Sequence, residues 1–315
     1  MKKINIKPFD EFWLNCIFNN SFSILTSLND KYKDLAYLNC YTYSAYNSWA
    51  PKHINLHIDG ELQEEIMNST INNEYFCINC EDDYMHKIVN LLNKNNILIR
   101  VELYDWLPNS ASWHKVHHYH YSLVTGYDSS KKNFTVIDDD NIGYGIKYVP
   151  YERFSKCVID ESSNITGHII KEKKGKIYDL CLKDIILFAK EINKNISCVL
   201  ENNDLWIESM SSKGEKLYEF YAFEIYKIEN RHIANTYLMR RMWEKNFINK
   251  VQYERYKAYF EDIKEGWKKI KYILLKLNYQ SENSSEYGYI KKINLLKDNL
   301  LNKEYQIWKE IINIE

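Results

Sequence analysis

From Asn15 the chain reads NCIFNNSFSILTSL, with Phe18, Phe22, Leu25 and Leu28 recurring at three- and four-residue intervals. That interval puts them on one face of a helix. Asn15 is a residue type that caps helices, because its short side chain accepts from an amide N–H of the first turn. The spacing therefore predicts a helix that begins at or next to Cys16. DDYMHKIVNLLNK, residues 82–94, repeats the helical interval and is followed directly by NILIRVELYDW. The alternation and β-branched residues of that second stretch predict a strand. YHYSLVTGYD and NFTVID then predict two more strands joined by the polar turn DSSKKN. After residue 158 the polar DESSNITGHIIKEKKGK leads into the periodic YDLCLKDIILFAKEI. Three long amphipathic stretches complete the chain: IANTYLMRRMWEKNFI, YERYKAYFEDIKEGWKKIKYILLKL and YIKKINLLKDNLLNKEYQIWKEII. The expected organisation is a mixed α+β domain over residues 1–160, a boundary within 160–177, and a helical domain over 177–315.

Composition narrows the functional classes. The 42 basic and 43 acidic residues nearly cancel and are interspersed, so no charged face points to nucleic acid or to an anionic membrane. MKKINIKPFDEFWLNC has no apolar core of signal-peptide length, and no later run has the roughly 18 apolar residues of a membrane span. The expected location is cytoplasmic, and the seven cysteines are accordingly expected as reduced thiols.

Candidate chemistry concentrates in the hairpin. If YHYSLVTGYD folds back through DSSKKN onto NFTVID, residues pair where their numbers sum to roughly 258–261, which brings His120 almost opposite Asp138. His120, Ser122, Val124 and Gly126 would share one face, and Phe134, Val136 and Asp138 the matching face of the next strand. A carboxylate so placed accepts from an imidazole N–H and orients the ring as a general base. The base needs a nucleophile, and Cys16 is the candidate, since the positive end of a helix dipole favours a thiolate there. Each residue also has a purely structural reading: Cys16 as a small core residue, His120 as a half-buried strand histidine, Asp138 as part of a solvated DDD turn.

The combination of NC at the start of a helix, ILIRVELYDWLP, HHYHYSLVTGYD and FTVID resembles the papain-like arrangement of bacterial cysteine peptidases. It is more similar still to the amino-terminal domain of the butirosin-type acyltransferase family. The resemblance implies a papain-like cysteine protease fold, with an amino-terminal helix packed on an antiparallel sheet and a helical carboxy-terminal region. It assigns Cys16 as nucleophile, His120 as base and Asp138 as orienting acid. The glutamine that papain-like peptidases carry before the cysteine is replaced by Asp10, Glu11 and Asn15, which leaves Asn15 or a backbone N–H as oxyanion donor. The activity implied is transfer of an acyl group from the phosphopantetheine thioester of an acyl or peptidyl carrier protein, through a cysteine acyl-enzyme, to a small-molecule amine in antibiotic or nonribosomal peptide assembly. No cofactor is bound; the phosphopantetheine arrives on the carrier. Such a site excludes water, a lining for which Trp106, Trp113 and Tyr119 are candidates. The alternatives are a cysteine peptidase or amidase with the same triad, and a non-catalytic binding protein on the same scaffold.

Two other groups of residues compete for attention. His114, His117, His118 and His120 together with Cys77 and Cys80 include zinc-ligand types, but strand parity divides the histidines between faces and the C-x-x-C lacks a second pair, so no metal is expected. Arg240 and Arg241 are a candidate contact for a carrier protein's acidic surface or its phosphate, against the plainer reading of a solvated helix face.

Overall fold

The structure is a computed structural model that describes residues 3–44, 54–80, 83–173, 175, 177–201, 218–279 and 286–314. The chain divides into two compact units, residues 1–33 with 62–178, and residues 34–61 with 179–315.

The first unit is a six-stranded antiparallel sheet with helices. Its elements are α1 (Cys16–Leu28), α3 (Glu61–Thr70), β3 (Ile71–Asn79), α4 (Tyr84–Leu92), β4 (Asn96–Glu102), β5 (Tyr119–Asp128), β6 (Asn133–Asp140), β7 (Gly143–Pro150), α5 (Tyr151–Cys157) and β8 (Asn164–Glu172). The strand order is β3-β8-β4-β5-β6-β7. Both faces of the central strands are buried: Val124 and Val136 are fully enclosed, and so are Leu123 and Ile137, whose parity points them the other way. One face packs with Ile88 and Leu92 of α4 and Phe154 of α5 into a core.

The β5–β6 hairpin has the expected register, with Leu123 opposite Ile137 and Val124 opposite Val136. A bulge then shifts the ladder so that Gly126 faces Thr135. The extra residue reverses parity beyond it. Gly126 therefore does not continue the His120 face; Tyr127 does, its ring 4.7 Å from Phe134.

The polar stretch expected as a boundary is corrected by β8, which pairs with β3 along its whole length and with β4. Its Gly167 shows how close the neighbours come: a Cβ there would collide with the Leu98 carbonyl and lie 2.8 Å from the Phe76 ring. The unit thus runs on to residue 178.

The second unit contains α2 (Tyr32–Leu38), the two-stranded ribbon of β1 (Tyr41–Ser44) and β2 (Asn55–Ile58), and the helices α6 (Leu182–Glu201), α7 (Tyr218–Glu244), α8 (Lys250–Tyr279) and α9 (Glu286–Ile312). Residues 34–61, read from sequence as part of the first domain, group here because their polar atoms are satisfied by the helices. Asn195 of α6 accepts from the Tyr43 N–H at 2.6 Å and donates to the Tyr43 carbonyl at 3.0 Å. Tyr43 Oη donates to Glu304 at 2.5 Å, and Tyr41 Oη donates to the other oxygen of the same carboxylate. Arg241 holds Asp34 through two hydrogen bonds, at 2.5 and 3.0 Å, and also bonds Glu244, so its guanidinium is engaged within the unit. Arg240 is exposed beside the Tyr237 ring. Among the described residues, no helix is long and apolar enough to cross a membrane.

Candidate active site

Helix α1 starts at Cys16 because Asn15 is extended and its side-chain oxygen accepts from the Phe18 N–H at 2.8 Å. The segment before it is held by Asn19, which is fully buried: Oδ1 accepts from Leu14 N–H, and Nδ2 donates to the Phe9 and Phe12 carbonyls. Phe9, Phe12, Phe18 and Phe22 pack ring on ring beneath this turn. The thiol is left half-buried at the helix start.

Cys16, His120 and Asp138 come together. His120 Nε2 lies 3.1 Å from Asp138 Oδ2, and the Cys16 thiol is among the groups that act on the same imidazole. With Nε2 on the carboxylate, Nδ1 is the ring nitrogen left to serve a thiol. Burial by itself lowers the imidazole's basicity, but the Asp138 charge and the hydrogen bonds to Asp138 and Cys16 outweigh it and hold His120 well above the usual histidine value. Asp138 is fully buried, which alone would raise it; the charge of His120 and the hydrogen bonds from His120 and Trp106 keep it below the ordinary carboxylate value. The arrangement supports an imidazolium held against the buried Asp138 carboxylate.

The aromatic candidates fall in different places. Trp106 is fully buried and has no face for a substrate. A turn after β4, with Trp106 N–H on the Leu103 carbonyl at 3.3 Å, folds the indole under the sheet, where Nε1 donates to Asp138 Oδ2 at 2.8 Å. Its place is behind the carboxylate, holding it. Tyr119 precedes His120 on β5 and so points to the opposite sheet face, its ring 3.9 Å from the Arg100 guanidinium, and it cannot line a pocket with His120. Trp113 is half-buried and stacked on His114 at 4.3 Å. Asn15 Oδ1 is committed to the helix cap, which leaves its Nδ2 as the side-chain donor beside the thiol.

The residues weighed for zinc do not gather. His114, His117 and His118 are exposed, with His114 Nε2 3.0 Å from Asp105 and His117 Nδ1 3.4 Å from Glu102. Cys77 is exposed on β3. Among the described residues the one group with metal-ligand geometry is His120, Asp138 and Asp139. Asp138 has little to offer an ion, since Oδ2 takes Trp106 and His120 while Oδ1 accepts from the Asp139 N–H at 2.9 Å.

Asp139 is the residue that sequence reasoning passed over. Burial and the neighbouring Asp138 charge raise its carboxyl to about 6. The folded state then binds this proton more tightly than the unfolded chain, so the stability it contributes is complete below the ordinary value of 3.8 and is lost as pH rises through about 6. Asp139→Asn is neutral throughout. In urea unfolding its advantage over wild type is expected to widen by about 1–2 kcal/mol between about pH 4.5 and about pH 7.5. A gap that stays constant across that window would show that Asp139 carries no such shift.

No family model matches this sequence, and no curated protein matches it.

Proposed function

We propose that the protein is a cysteine-dependent, amide-forming acyltransferase of the butirosin type on a papain-like fold. The observation that carries this reading is the His120 imidazole bonded to a buried, oriented carboxylate and acted on by the thiol of Cys16 at a helix start. In the proposed cycle the Cys16 thiolate attacks the carbonyl carbon of a carrier-protein thioester. The tetrahedral oxyanion is met by the Cys16 N–H, which as a first-turn amide has no intrahelical acceptor, with Asn15 Nδ2 as second donor. The C–S bond to phosphopantetheine breaks, and its sulfur leaves with the proton from His120. An amine then attacks the Cys16 acyl group, His120 takes its proton, and the amide departs as the thiolate re-forms. Exchange of one thioester for another is nearly balanced in energy, which suits a cysteine better than a serine for the first half.

The test is intact mass of the whole chain after incubation with acyl-pantetheine thioesters and acylated carrier proteins, with peptide mapping. An acyl mass on Cys16, absent in Cys16→Ala and discharged as amide when an amine is added, is the expected result. Cleavage of peptides or amides by wild type but not by Cys16→Ala, with no acyl transfer, would replace this reading with a hydrolase. A Cys16 no more reactive than the other six cysteines would leave a binding protein.

A further inference from the structure

The thiol and the imidazole sit on elements separated by about a hundred residues of chain, and a buried hydrogen-bond bridge joins those elements one turn from the thiol. Asn20 lies four residues after Cys16 on α1, on the same helix face, and is 2% exposed. Its Nδ2 donates to the carbonyl of Tyr121, the residue after His120 on β5, at 3.2 Å. Its Oδ1 accepts from Tyr144 Oη at 2.7 Å. Tyr144 stands on β7 directly across from Asp139, the neighbour of Asp138. Thus a single carboxamide grips the strand of the base and, through one phenol, the strand beside the orienting acid.

We propose that Asn20 and Tyr144 are positioning residues that fix the distance between the Cys16 thiol and the His120 imidazole. This rests on the cysteine-nucleophile reading above. The hydrogen count is consistent: the Tyr144 proton goes to Asn20 Oδ1, and Ser23 Oγ, 3.0 Å from Tyr144 Oη, has its own proton on the Asn19 carbonyl at 2.7 Å or free to turn to the phenol. Ser23 Oγ also accepts from the Phe9 N–H at 2.8 Å, so the bridge runs on into the turn that precedes the helix. Burial keeps the phenol protonated as a donor against the opposing hydrogen bond with Ser23, and the charged or titratable groups that act on Tyr144, which are Asp138, Asp139 and Cys16, add to the effect of burial. An amide with both ends used in this way holds two elements in one register, where apolar contacts alone would let the helix slide.

The experiment compares wild type, Tyr144→Phe and Asn20→Ala in the whole chain. Tyr144→Phe removes one oxygen and keeps the ring, so a folded variant is expected. The readouts are the rate and half-saturation of Cys16 acylation by an acyl-pantetheine, and the pH profile of Cys16 alkylation. A thiol displaced from its base by a fraction of an ångström is expected to acylate about 10- to 100-fold more slowly at saturation with little change in half-saturation. The acid limb of alkylation, a property of the thiol–imidazole pair, is expected to move up by about one pH unit. Asn20→Ala should do the same or more. Lowered thermal stability in both variants with unchanged acylation rate and unchanged profile would overturn the proposal and leave a structural bridge. If wild type shows no selective reactivity at Cys16, the cysteine reading itself fails and this proposal with it; if wild type is reactive and the variants match it, only this proposal fails.

Discussion

His120→Ala is expected to slow acylation of Cys16 by about 10³- to 10⁶-fold, the range over which removing the base of a nucleophile–base–acid unit acts. Two losses combine. In the proposed cycle the thiol no longer has a partner that takes its proton, and the leaving phosphopantetheine sulfur no longer has a donor. The fold should survive, because the imidazole is near the end of β5 with a side chain 16% exposed, while Val101, its partner on β4, stays enclosed by the core below. Asp138 would be left buried with Trp106 Nε1 and the Asp139 N–H still bonded to it, two donors that keep it satisfied. Added imidazole is expected to restore part of the rate by entering the vacated space. Single-turnover acylation followed by mass spectrometry, with and without imidazole, checks both points; a variant within tenfold of wild type would show that His120 is not the base.

Some of this geometry was legible in the sequence, for local reasons. Asn15 before a period of helical apolar positions marks the start of α1 within one residue, since cap chemistry and periodicity act over a single turn. The β5–β6 register followed from alternation and a short turn, and with it the approach of His120 to Asp138. The bulge after Val124 was not legible, because one inserted residue alters parity without altering composition. Strand β8 was hidden for a related reason. Its residues alternate between Ile165, which is buried, and half-buried Asn164, Thr166 and His168, so its sequence looks like a linker although β3 and β4 flank it. Trp106 illustrates what no local pattern carries: it donates to a carboxylate 32 residues away, and only the folded chain reveals that its ring lies behind the acid and not over a substrate. The assignment of residues 34–61 to the helical unit is non-local in the same way, as it depends on Tyr41 and Tyr43 reaching a glutamate more than 260 residues later.

That glutamate is the basis of the second large effect. Glu304 is fully buried on α9, and its carboxylate accepts from Tyr41 Oη and from Trp308 Nε1 at 3.2 Å on one oxygen and from Tyr43 Oη at 2.5 Å on the other. Arg231, also fully buried, donates to the Ala36 and Tyr37 carbonyls and stands 4.8 Å from the Tyr41 ring. Burial raises the Glu304 carboxyl, while the three donors and the Arg231 charge pull it back down. Glu304→Ala deletes one acceptor group and strands three donors together with a guanidinium in a buried interior, so it is expected to destabilise the helical unit by about 3–5 kcal/mol. Glu304→Gln keeps one oxygen as an acceptor and is expected to cost less than half of that, because only one side of the group must meet donors with an N–H. His232 adds an acid limit to the same cluster: burial, then Arg231, push it to about 3. Its folded value lies below the unfolded one, so its contribution is complete above the usual histidine range and is lost as pH falls from there toward about 3. Urea unfolding followed by tryptophan fluorescence should therefore show wild type losing stability on acidification and His232→Phe losing less, with Glu304→Ala low at every pH. Equal stability of Glu304→Ala and wild type would mean that the two tyrosine hydroxyls find other acceptors, and that the ribbon of β1 and β2 is held to the helices by its apolar contacts alone.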